Sequence, residues 1–164
     1  MRFLIKVRFV KISEILAKNA ILLNLNASTK EDALNQMAQY CSSLYDIKPA
    51  EQIKSKVLER EAEMSTGIGF GIAIPHARID GLDKLYMVAA TVSQGIDFEA
   101  MDDEPVHLLF LLLSPTNTAT DHAETLSALS AMLAHVEMRS QLLNAPDEDA
   151  FLKTITNGED KYVR

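Results

Sequence analysis

The chain has 164 residues, 48% of them apolar and 24% charged, which suits one domain of ordinary size with a packed core. Its net charge of −7 argues against a general affinity for nucleic acid or anionic membranes, though it leaves room for a local basic patch. Cys41 is the only cysteine, so no intramolecular disulfide can form, and a reducing cytoplasm is the expected setting.

The first ten residues, MRFLIKVRFV, are interrupted by Arg2, Lys6 and Arg8 and are too short to span a bilayer. They also lack the long apolar core and cleavage site of a signal peptide. Residues 1–11 are expected as an extension or extra strand, residues 12–157 as the domain and residues 158–164 as a tail. Ile12 to Ile15 opens the domain, and Ala20 to Leu25 suits a short strand. Ser28 followed by Glu31 predicts a capped helix start. The helix behind it carries Ala33, Leu34, Met37, Ala38, Cys41 and Leu44 on one stripe. Cys41 is expected to pack there as a small apolar group. Pro49 predicts a second helix, on which Ile53, Val57 and Arg60 share a face. Arg60 thus either snorkels to water or points at an anion near the core edge.

Between Arg60 and Arg78 the sequence runs REAEMSTGIGFGIAIPHAR. Gly67, Gly69 and Gly71 let the backbone take positive φ and let other groups come close. Ile72 to Ile74 is expected as a short strand that Pro75 ends, with His76 at its tip. Asp80–Gly81 predicts a turn. Leu85 to Val92 predicts a strand, Gln94 to Glu104 a polar connector and Val106 to Leu113 an interior strand stopped by Ser114–Pro115. After a loop at Asn117 to Thr120, Asp121 and Glu124 predict a capped helix. That helix carries Leu126, Leu129, Leu133 and Val136, and puts His122 on its inward face. Asp147 caps a last helix carrying Phe151, Leu152 and Ile155. Helices and strands alternate, which predicts a single α/β domain with a mixed sheet flanked by helices.

His76 suits a nucleophile, because a neutral imidazole is available near pH 7. Phosphoryl transfer to it needs positive charge and hydrogen-bond donors placed around the oxygens. The loop of Ser65, Thr66, Gly67 and Gly69 offers hydroxyls and backbone N–H groups, and Arg60 a charge-assisted contact. His122 near a helix N-terminus offers a neutral imidazole donor. His107 and His135 are expected to be structural or surface residues. The glycine loop lacks the Gly-Lys-Ser/Thr ending of a nucleotide-binding P-loop. His76 and His122 lack the further ligands a zinc site needs. No cofactor and no metal are expected.

The segment Arg60-Glu61, Ser65-Thr66-Gly67-Ile68-Gly69 and Gly71-Ile72-Ala73-Ile74-Pro75-His76-Ala77-Arg78 closely resembles the signature of the fructose/mannitol-type enzyme IIA domains of the bacterial sugar phosphotransferase system. The likeness extends from Ile12 to about Ile155. It includes Ile96–Phe98, the P-V-x-L-x-F-L-L strand from Pro105 and the helix opening with His122. The resemblance implies an α/β fold of the IIA type, a phosphohistidine at His76, and supporting roles for His122 and Arg60. It further implies a cytoplasmic phosphocarrier fed by an HPr-type donor, with a IIB domain as acceptor in sugar-transporting members. Ala123 stands where family members often have leucine. The chain's size is similar to that of nitrogen-regulatory IIA proteins, which relay phosphorylation state to regulatory targets. Sugar import is the alternative, and a non-catalytic protein-binding module is the reading from another class.

Overall fold

The computed structural model describes residues 10–47 and 49–163. The extension or extra strand expected over residues 1–11 therefore falls, for residues 1–9, outside the described residues. A short helix α1 (Ile12–Ile15) and a 3-10 turn lead into strand β1 (Ile21–Leu22). Helices α2 (Lys30–Tyr45) and α3 (Ala50–Glu63) follow, then β2 (Gly67–Gly69), β3 (Ile72–Ala73), β4 (His76–Ile79), β5 (Tyr86–Ile96) and β6 (Val106–Pro115). Helices α4 (Ala119–Leu133), α5 (Val136–Leu143) and α6 (Glu148–Tyr162) complete the chain. The strands form one mixed sheet in the order β1-β5-β6-β3-β2, with β4 also paired to β6. β5 and β6 are antiparallel, while β3 and β4 both run parallel to β6.

The centre of the sheet is β6, buried along nearly its whole length, as its unbroken apolar run predicts. Its two faces carry different helices. Phe110 faces α6, its ring centroid 6.2 Å from that of Phe151. Leu113, of opposite parity, pairs with Tyr86, whose ring meets Tyr45 of α2. Alternation along the strand thus sends one set of side chains to α2 and the other to α6. On α2, Ala33, Leu34, Met37, Ala38 and Cys41 are fully buried and Leu44 packs at the margin, following the stripe in the sequence.

Several local expectations change. The α2 cap is Thr29, whose side chain accepts from the Asp32 N–H, one residue beyond the Ser28–Glu31 pair. β5 continues past Val92 to Ile96, and β6 continues through Ser114 to Pro115. The helix expected to begin at Asp121 begins at Ala119, with Thr118 preceding it and no side-chain cap. His122 is therefore the fourth helical residue, and its N–H already bonds the Thr118 carbonyl. Val136 belongs to the next helix and is exposed. The Asp147 cap forms as expected, accepting from the Ala150 N–H. Helix α6 then runs on to Tyr162, through residues expected as a tail, and buries Gly158 and Glu159.

The most consequential difference is at Pro75. It does not end the strand that places His76. Ile72 pairs with Leu108 and Ala73 with Leu109; after a break at Ile74–Pro75, His76 pairs with Leu112 and Ile79 with Pro115. The residue-number offset is the same on both sides of the break, so β3 and β4 are two halves of one line. Proline lacks an N–H, but its carbonyl still accepts from Leu112. His76 thus begins a strand segment held on β6, and its side chain takes the direction that strand alternation sets.

Candidate active site

Alternation along β4 sends His76 and Arg78 to the same face of the sheet, with Ala77 and Ile79 buried between and beyond them. Their partners on β6 are Leu112 and Ser114. The first turn of helix α4 brings His122 to it. The imidazoles of His76 and His122 meet edge to face, with centroids 5.2 Å apart. From the side, α3 contributes Lys56, Glu59, Arg60 and Glu63. Together with Ala77, these residues line an open cavity of about 240 Å³. That volume lies below the ordinary range for sites that enclose a whole drug-sized ligand. A larger cleft of about 830 Å³ lies at the β1 edge, lined mainly by asparagine and aliphatic side chains, and holds no histidine or arginine.

The two rings are held by different hydrogen bonds. His76 Nδ1 is 2.8 Å from the Ile74 carbonyl oxygen. A carbonyl only accepts, so Nδ1 carries the proton and Nε2 holds the lone pair. His122 Nδ1 is 2.6 Å from the hydroxyl of Ser114, a fully buried residue. Burial is the main cause that lowers the His76 pKa; Arg60 and Arg78 add to it, while the Ile74 bond and Glu61 oppose it. Burial, then Arg78, His76 and Arg60, push His122 down to about 4. Both rings are therefore neutral near pH 7.

Arg60 lies at the end of α3, where the expectation left it either snorkelling to water or facing an anion. One guanidinium nitrogen donates to the Met64 carbonyl at the end of α3, at 2.9 Å, while the side chain also forms part of the cavity wall. Ser65, Thr66, Gly67 and Gly69 are not among the residues lining the cavity. The Ser65 hydroxyl donates to the Phe98 carbonyl and accepts from the Gly67 N–H. The Thr66 hydroxyl and N–H both donate to the buried carboxylate of Glu61, which also pairs with Lys30 at 2.8 Å. A Cβ at Gly67 would lie 2.8 Å from that of Ala100, and Gly69 adopts φ +94°. The glycines serve a tight β2–β3 hairpin, turned by Phe70 and Gly71 at φ 58° and 77°.

Arg78, Ser114 and Glu61 gain importance that the sequence reading did not give them. Arg78 was legible from its two-residue spacing to His76, and Glu61 from its four-residue spacing to Val57. Ser114 carried no local signal. The remaining histidines are structural, as expected: His107 Nδ1 bonds the Val92 carbonyl, and His135 stacks on Tyr162 with centroids 3.6 Å apart. Cys41 is buried, and burial pushes its thiol up to about 12. Among the described residues no three His, Cys, Asp or Glu side chains gather as a metal site.

Fold and site together define a small α/β protein that sets two neutral imidazoles, three basic side chains and two glutamates around a small open cavity. Residues 14–158 match the family model "Phosphoenolpyruvate-dependent sugar phosphotransferase system, EIIA 2", and the chain belongs to that family. It is 40% identical over 134 residues to the "PTS system fructose-specific EIIA component" of Haloferax volcanii, covering 82% of this chain and 87% of that protein. It is 36% identical over 152 residues to the "PTS system fructose-specific EIIABC component" of Bacillus subtilis, covering 93% of this chain but only 24% of that much longer protein. The crystal structure of the nitrogen regulatory protein IIA-Ntr from Neisseria meningitidis superposes with a TM-score of 0.83 at 26% identity, covering 88% of this chain and 98% of that one. Sequence and structure thus agree on a single-domain IIA fold, a mixed sheet flanked by helices. No helix among the described residues is long and apolar enough to cross a membrane.

Proposed function

We propose that His76 Nε2 accepts a phosphoryl group from an HPr-type phosphocarrier. The observation that carries this reading is the Nδ1 bond to Ile74, which leaves Nε2 as the nucleophilic nitrogen beside Arg60, Arg78 and His122. The Nε2 lone pair forms the new N–P bond as the donor's N–P bond breaks and the donor imidazole takes back its electron pair. Arg60 and Arg78 offset charge on the phosphoryl oxygens, and His122 donates a hydrogen bond to one of them. The Ser65–Gly69 loop acts behind the site, through the bonds that tie it to Glu61 and Phe98. A relay fed from phosphoenolpyruvate operates in the cytoplasm, a setting in keeping with the reduced, buried Cys41.

The output we favour is regulatory. A phosphoryl group adds nearly two negative charges at a partly buried surface, enough to make or break a protein interface. The close superposition on a nitrogen regulatory IIA protein supports this output. The 40% identity to a fructose-specific component favours a second one, transfer to a IIB domain during sugar uptake.

Incubation with phosphoenolpyruvate, enzyme I and an HPr-type donor, followed by intact mass and peptide mapping, tests the reading. The expected result is one added phosphoryl group on His76 and none in His76→Ala. Label that persists in the variant, or a wild-type protein left unmodified by its cognate donors, refutes it. Adding a fructose-type IIB domain then separates the outputs: rapid loss of label to IIB supports sugar uptake, and retention supports the regulatory role.

A further inference from the structure

We propose that Ser114 is a positioning residue that fixes the tautomer of His122, so that His122 presents Nε2–H to the phosphoryl group. The proposal rests on the reading of His76 as phosphoryl acceptor, and it assigns a role to a residue outside the family signature quoted above. Ser114 pairs with Arg78 across β6 and β4 and is fully buried. Its hydroxyl lies 2.6 Å from His122 Nδ1. A buried hydroxyl proton needs an acceptor, since leaving it unpaired costs about 1–3 kcal/mol. Among the described residues, His122 Nδ1 is the acceptor in reach. If Nδ1 were itself the donor, the hydroxyl proton would face no partner. The satisfied arrangement is Ser114 Oγ–H donating to Nδ1, which puts the proton of the neutral ring on Nε2.

His76 is held the opposite way. Its Nδ1–H donates to the Ile74 carbonyl, and its Nε2 keeps the lone pair. Two rings whose centroids are 5.2 Å apart thus offer complementary Nε2 atoms, one a nucleophile and the other a donor. The difference arises because one ring bonds a carbonyl and the other a hydroxyl. Without Ser114, His122 is free to place its proton on Nδ1, and an Nε2 lone pair would then face the phosphoryl oxygens.

Long-range proton–nitrogen NMR of ¹⁵N-histidine protein without donor, at neutral pH, reads the tautomer directly. The wild type is expected to show His122 protonated at Nε2. Ser114→Ala should lose that single tautomer, and Ser114→Thr, which keeps a hydroxyl, should recover it. Phosphoryl uptake on His76 should slow roughly tenfold to a hundredfold in Ser114→Ala, the scale for losing a partner that orients a functional histidine. In a His122→Ala background, Ser114→Ala should add almost no further slowing, because the effect passes through the ring. A wild-type proton on His122 Nδ1 overturns the proposal, as does an unchanged tautomer in Ser114→Ala. Equal slowing with and without His122 points to a purely structural role and overturns it too. Failure of wild-type His76 to accept a phosphoryl group refutes the relay instead, and the donor-free spectrum still decides the Ser114–His122 bond.

Discussion

Arg78 leaves the same face of β4 as His76, yet it is exposed where His76 is half-buried. It ranks directly after burial among the causes that depress His122. Arg78→Gln is therefore expected to raise the His122 pKa from about 4 toward its ordinary 6.5, read by NMR titration. Because Arg78 is exposed, the difference should shrink as salt is added. The same depression links the site to stability. Between pH 6.5 and about 4 the unfolded chain binds a proton at this histidine that the folded chain does not. This contribution to stability is intact above pH 6.5 and is lost as the pH falls toward 4; His76, lowered in the same direction, adds to the loss. Urea midpoints across that range should fall with pH, and less steeply in His122→Asn. An equal slope in the variant would place the effect elsewhere.

At the scale of elements, the glycine-rich stretch shows how much a sequence can disclose and where it stops. The cluster announced tight backbone geometry, and a tight hairpin is what forms. Whether its hydroxyls faced the His76 cavity depended on Glu61 and Phe98, contacts set by helix α3 and a distant connector. Gly67→Ala places a methyl against the backbone of Ala100, so the hairpin must shift. A loss of about 1–3 kcal/mol is expected in denaturant unfolding, on the scale of overpacking. Pro75 disclosed only half of its meaning, since β3 does stop before it but His76 opens β4. Its missing donor suggested a stop, whereas the constant register across it shows a strand that resumes. The start of α4 was placed late because Asp121 and Glu124 make a capping pattern that the helix does not use. His122 still reaches the site because the inward stripe through Leu129 and Leu133 survives that change. Ser114 was beyond reading, since its meaning requires the pairing of β6 and the register of α4 together.

For the whole molecule, a contact between its first and last described helices stands out. The buried carboxylate of Glu159 accepts from the N–H groups of Ile12 and Ser13, at 2.9 and 2.7 Å. These are orphan donors at the start of α1, which has no side-chain cap of its own. Glu159→Ala strands them in a buried setting and should cost about 1–3 kcal/mol, measured as a lowered unfolding midpoint with the site chemistry retained. A midpoint within error of wild type would show that water takes over the cap. The partners lie 147 residues apart, so the contact contributes nothing to early, local folding. During synthesis, the Ile12 and Ser13 amides have no Glu159 carboxylate to meet until the last helix has been made. The latch closes only once α6 has cleared the ribosome, so the link between the two ends of the domain forms late.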